Sequence, residues 1–172
     1  MWPLLFLGMM LITTVSCSED EDEPEIPEVP ADVRYEVRLT KIKATDTSGE
    51  GKADNVELEV FGDLSASLTI GTTVDTRVLW AVEITEALSV GQNDTQLTGE
   101  ATFTIAPDEI PNSSITCSGD LEENDGNGNV QNQGEESSTF SLASITGTQD
   151  IELTFSEPTG QTVVVTFTVT RL

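Results

Sequence analysis

From residue 32 onward the chain alternates. Tyr35, Val37 and Leu39 fall on one side of an extended segment and Arg34, Glu36, Arg38 and Thr40 on the other, the period of two expected of a strand with one buried and one wet face. The apolar series then resumes at Ile42 rather than Lys41, so a bulge or a change of sheet is predicted near Thr40 and Lys41. The same reading gives strands over 34–44, 56–62, 66–70, 76–85, 98–106, 113–118, 138–145, 150–156 and 162–172, rich in the Val and Thr that fit a pleated surface. Turn chemistry separates them: "GD" at 62–63, "GQND" at 91–94, "APDEIPN" at 106–112, "GT" at 147–148 and "EPTG" at 157–160. Trp80, with Val78, Val82 and Ile84, is the expected centre of the core. The stretch "RVLWAVEITEAL" also scores as helix; its β-branched content selects a strand.

About nine short strands with hardly any helix signal imply an all-β fold, a single antiparallel β-sandwich of about eight to nine strands over 32–172. Alternation leaves open whether its topology is immunoglobulin-like, C2-like or jelly-roll. No internal repeat is visible, so neither a propeller nor a solenoid is indicated.

The first sixteen residues, "MWPLLFLGMMLITTVS", are apolar or small throughout and are followed at once by charge. That is too short to span a bilayer comfortably and reads as a cleavable secretory leader. "TVSC" at 14–17 resembles the lipobox of bacterial lipoproteins, although Thr14 stands where leucine is usual. The resemblance implies that Cys17 is the lipidated first residue of the mature chain. "SEDEDE" at 18–23 resembles the acidic export signal of surface lipoproteins of the Bacteroidota, which implies an outer-membrane protein facing the cell exterior. Pro24, Pro27 and Pro30 then recur every third residue, the repeat of a polyproline II helix. At about 3.1 Å per residue, 18–31 makes a tether on the order of 40 Å long. The organisation expected is therefore a lipoprotein signal peptide (1–16), a lipidated cysteine with an acidic, proline-rich tether (17–31) and the sandwich (32–172).

Charge narrows the partners. With 31 acids against 7 bases and no histidine, the net charge is -24, which repels nucleic acid and anionic headgroups and attracts cations and basic proteins. Five of the bases, Arg34, Arg38, Lys41, Lys43 and Lys52, lie early in the folded region. Of the two cysteines, Cys117 is left as a lone thiol without a base nearby to activate it, which suits a small buried strand residue.

One stretch reads either as a plain polar turn between two strands or as a loop with metal chemistry. "DTSGEGKADNVE" at 46–57 places oxygen-bearing residues at the spacing a hard cation needs. It resembles the calcium loops of EF-hands and of thrombospondin type 3 repeats. By that resemblance Asp46, Ser48 and Glu50 supply side-chain oxygens, Lys52 a backbone carbonyl, Asp54 a ligand or water contact and Glu57 a carboxylate, with Gly51 at the bend. Ser48 in place of an acid and the longer Glu50 imply weak binding, and flanking strands exclude a true EF-hand. A second acidic stretch, 118–138, has only Leu121 and Val130 as apolar residues. It reads as a flexible hairpin excursion, or as a source of Asp120, Glu122, Glu123 and Asp125 for a site shared with Asp46.

For catalysis the inventory is thin: no histidine, no nucleophile beside a base, no Cys/His metal set and no phosphate-cradling glycine loop. Glu57 and Glu59 alternate along one strand as glycosidase acids do, and equally as solvated residues do. The expected function is therefore non-catalytic: a lipid-anchored surface module that binds a protein or glycan, or serves as an accessory envelope subunit. The alternative is a calcium-stabilised structural or adhesive module.

Overall fold

The computed structural model describes residues 30–48, 57–126, 129–156 and 160–172. The leader, Cys17, the tether up to residue 29, and Glu50, Lys52 and Asp54 of the acidic loop lie outside the described residues. Two antiparallel sheets pack face to face. One, in the order β5-β1-β9-β8, contains β1 (Val33–Thr47), β5 (Thr95–Ile105), β8 (Thr148–Ser156) and β9 (Gln161–Arg171). The other, in the order β3-β2-β6-β7, contains β2 (Leu58–Ile70), β3 (Thr73–Val82), β6 (Ser113–Gly126) and β7 (Asn129–Ser141), with β4 (Leu88–Val90) pairing the start of β2. The expected β-sandwich is thus the architecture found.

The bulge expected near Thr40 is present. Register shifts between Leu39 and Lys41 against both β5 and β9, and the Thr40 hydroxyl donates to the carbonyl of Thr166 at 2.9 Å. The shift returns Ile42 and Ala44 to the inner face occupied by Tyr35, Val37 and Leu39.

Three expectations are corrected. The "GD" at 62–63 is not a turn, because β2 runs unbroken through it and fuses the two strands expected there. Gly62 has φ +126°, and a Cβ on it would lie 2.2 Å from the carbonyl oxygen of Asp120. A glycine is therefore required for close approach of β6, not for chain reversal. Second, Trp80 is not the centre of the core. Register against β2 slips between Leu64 and Ser65, whose partners are Trp80 and Val78, so Leu79 is the extra residue and turns inward. Val78 is left 64% exposed and Trp80 half-buried at the core margin. The large side chains that are fully enclosed include Tyr35, Phe155 and Phe167.

Third, the described residues of 118–138 are paired strand rather than a flexible excursion, 118–126 belonging to β6 and 129–138 to β7. β6 alternates buried and half-buried from Ser113 to Asn124, with Ile115, Cys117, Gly119, Leu121 and Glu123 facing in. A Cβ at Gly119 would lie 2.5 Å from Leu64 Cδ2 and 3.2 Å from the Phe155 ring. The inward series is hidden in the sequence because one of its members is a glycine and another an acid.

Candidate functional site

The core ends in polar groups. At the end of the sandwich where β1 leaves and β9 begins, Gln133 and Gln161 are buried, and Gln133 Nε2 donates to Gln161 Oε1 at 2.9 Å across the two sheets. Glu123 is 1% exposed, and its Oε1 accepts the backbone N–H of Glu59 at 3.4 Å. Thr47 pairs with Gln161, so the acidic loop starts from this end. Asp46 Oδ1 accepts the Ser48 N–H at 2.8 Å, and hydrogen bonds from Ser48 hold the Asp46 carboxyl below the usual aspartate range. The Ser48 hydroxyl lies 3.4 Å from the carbonyl of Gly160. Glu57 is engaged elsewhere, its Oε2 accepting from Ser89 Oγ at 2.6 Å.

Asp46 and Ser48 are therefore neighbours, and Glu57 sits beside β4. No three acids, histidines or cysteines among the described residues gather closely enough to hold a metal ion. Asp120, considered above as a companion of Asp46, is instead directly opposite Asp63 on one side and Glu135 on the other. This row of carboxylates crosses β2, β6 and β7 on the outer face of their sheet.

The row lies in a shallow hollow of about 420 Å³ lined by Asp63, Ser118, Gly119, Asp120, Glu135, Glu136 and Ser137. A second hollow, about 430 Å³, shares Asp63 and Asp120 and adds Glu83, Glu86 and Glu122. Like charges directly opposite one another on a sheet repel, and Asp120 Oδ1 is buried with no hydrogen-bond partner.

Bases do not offset this face. Among the described residues Arg77 is the one base on the β3-β2-β6-β7 sheet, and it is paired with Asp75 at 2.8 Å. Arg34, Arg38, Lys41, Lys43 and Arg171 all stand on β1 and β9 of the other sheet, where Lys41 holds Asp94 at 2.9 Å. The sandwich is thus electrically two-sided. Asp63 and Glu135 were not singled out from the sequence, because only cross-strand register brings them to Asp120.

Cys117 is fully buried opposite Ala66, and burial pushes its thiol up to about 12. It is core, not chemistry.

No protein-family model matches the chain, and no curated protein matches it in sequence. Among solved structures, a C2 domain of plant extended synaptotagmin 1 matches with a TM-score of 0.41 at 8% identity, over 81% of this chain and 93% of that one. Human GIVD cytosolic phospholipase A2 matches with a TM-score of 0.41 at 10% identity, over 84% of this chain and 17% of that one. The sandwich itself is established by the strand pairings above, not by these likenesses.

Proposed function

We propose that this chain is a non-catalytic, lipid-anchored module of the outer membrane, facing the cell exterior, that docks a protein with a basic surface on the outer face of the β3-β2-β6-β7 sheet. The observation that carries the reading is the Asp63, Asp120 and Glu135 row in its open hollow, with Arg77 the one base on that sheet among the described residues. Such a face focuses negative potential and steers a cationic partner into contact. A glycan partner has less support: sugar stacking needs exposed aromatic faces, and Tyr35, Phe155 and Phe167 are spent on the core. The anchor rests on Cys17 in the lipobox-like "TVSC" and on the acids that follow it.

Two measurements test this. Labelling cells with an acyl-chain analogue marks the wild-type chain and not Cys17→Ala. Affinity capture from solubilised outer membranes recovers a basic protein that Asp63→Asn/Asp120→Asn/Glu135→Gln fails to retain. A label on Cys17→Ala overturns the anchor, and equal capture by both baits overturns the docking face.

A second reading, a calcium-stabilised module, draws on the adjacent Asp46 carboxylate and Ser48 hydroxyl at the entry to the acidic loop. Millimolar calcium outside a cell is enough to fill even a weak site of this kind.

A further inference from the structure

Each sheet of a sandwich ends in edge strands whose outer backbone groups have no partner in the sheet, and these edges are templates for another chain. The long edges here are β3 and β7 of one sheet, where the three-residue β4 also flanks β2, and β5 and β8 of the other. β3 differs from the rest in two respects. Residues Thr73 to Val78 are all exposed, and Val74 and Val78, at 58% and 64%, are two of the four large apolar side chains left open to water among the described residues. Its sequence at 74–78, Val-Asp-Thr-Arg-Val, is also complementary to its own reverse.

We propose that β3 is a self-association edge, on which a second copy of this chain pairs its own β3 antiparallel about a twofold axis at Thr76. In that register Val74 stands opposite Val78 of the second copy and Val78 opposite its Val74. Asp75 stands opposite Arg77, Arg77 opposite Asp75, and Thr76 opposite Thr76. A twofold contact demands such self-complementarity, since each residue meets its partner's counterpart in both directions. The valines share the outer face with Thr76, the three residues lying opposite Thr69, Ser65 and Ser67 of β2, and they form apolar cross-strand pairs between the copies. Asp75 and Arg77, on the opposite face, exchange their internal 2.8 Å ion pair for two between copies. The segment sums to zero charge, so two strongly acidic molecules can approach there without juxtaposing acids.

The remaining edges do not support the same contact. On β8, a twofold at Ile151 sets Asp150 against Glu152, and on β7 the neighbours Glu135 and Glu136 face each other. β5 offers Glu100 and no base. Where β3 is covered, at Leu79, it is by Gly99 of β5, whose missing Cβ would lie 2.1 Å from the Leu79 carbonyl oxygen; beyond it Thr76, Arg77 and Val78 border an open hollow of about 400 Å³ whose other wall is Glu100, Ala101 and Thr102 of β5, and Thr73 to Val78 stay exposed.

The test is site-specific disulfide trapping of the full chain in whole cells, with diamide as oxidant. Opposed Cβ atoms about 4.5–5.5 Å apart are within small adjustments of a disulfide. Thr76→Cys should therefore give a covalent homodimer on a non-reducing gel. In Val74→Cys or Val78→Cys alone, like cysteines stand about 14 Å apart and should give on the order of tenfold less dimer; co-expressed, they should crosslink to each other. Added to Thr76→Cys, Asp75→Arg or Arg77→Asp should abolish the dimer, because like charges then oppose. Co-expression of the two, or Asp75→Arg/Arg77→Asp in one chain, should restore it. The buried Cys117 is present in every variant and so cannot produce the pattern. Equal trapping at 74, 76 and 78 singly, trapping indifferent to the charge variants, or capture of Thr76→Cys chains only by a different protein overturns the proposal.

Discussion

Neutralising the middle of the carboxylate row should stabilise the fold. Asp120 is directly opposite both Asp63 and Glu135, so Asp120→Asn removes two cross-strand repulsions while keeping size and shape. Each such pair costs about 0.2–1 kcal/mol, which sets the expected gain at about 1 kcal/mol. For a domain of this size that raises Tm by about 3 °C at low salt. At 1 M salt the screening length is about 3 Å, shorter than the separation of opposed side chains, and the gain should fall by more than half. The control is Glu136→Gln, which removes one negative charge from the same hollow but from a position opposite Gly119; it should move stability by less than about 0.5 kcal/mol. Calorimetry of the purified wild-type chain and both variants, each at two salt concentrations, makes the comparison. Equal gains from the two substitutions would assign the effect to net charge alone, and no gain from Asp120→Asn would refute the claim that the row is strained. If the row is a docking face, the stabilised variant is also the one that loses its partner, the trade expected where function holds like charges together.

Gly119→Val should destabilise by roughly 3 kcal/mol or prevent folding, since its Cβ alone would lie 2.5 Å from Leu64 Cδ2 and 2.9 Å from the Asp63 carbonyl oxygen; chemical denaturation measures it, and a loss under about 1 kcal/mol would contradict the packing described. Cys117, with its thiol pushed up to about 12, should resist iodoacetamide in the native chain near its ordinary working pH and react fully in guanidinium; native labelling at the denatured rate would show the strand to be open. In the calcium reading, millimolar calcium raises Tm relative to chelator and Asp46→Ala removes the rise. Identical melting curves in the two buffers would end that reading.

Much of the fold was legible because one-sided burial writes a period of two into each strand. The pattern of Tyr35, Val37 and Leu39 resuming at Ile42 located the β1 bulge, and the strand expected over 150–156 falls within β8, where Ile151, Leu153 and Phe155 face the core. Expectation and structure part where inward positions are filled by residues that do not look apolar. In β6 the inner face includes Gly119 and Glu123, so composition suggested a loop. In β3 a slip of one residue at Leu79 exchanged the faces of the strand and moved Trp80 to the margin.

Of the residues that spacing suggested for a calcium loop, Asp46, Ser48 and Glu57 are described, and the fold keeps the first two together while Glu57 bonds Ser89. The acidic row was beyond reach of any local pattern. Asp63, Asp120 and Glu135 stand on three different strands, and in the sequence each alone reads as an ordinary solvated acid. Strand content, the one-sided burial of most strands and the excess of negative charge followed from the order of amino acids alone, because alternation and composition are properties of neighbours along the chain. The order of strands, the bulges that re-aim side chains, the row of opposed carboxylates and the open β3 edge emerged only on folding, because cross-strand register arises when distant segments hydrogen-bond and pack against one another.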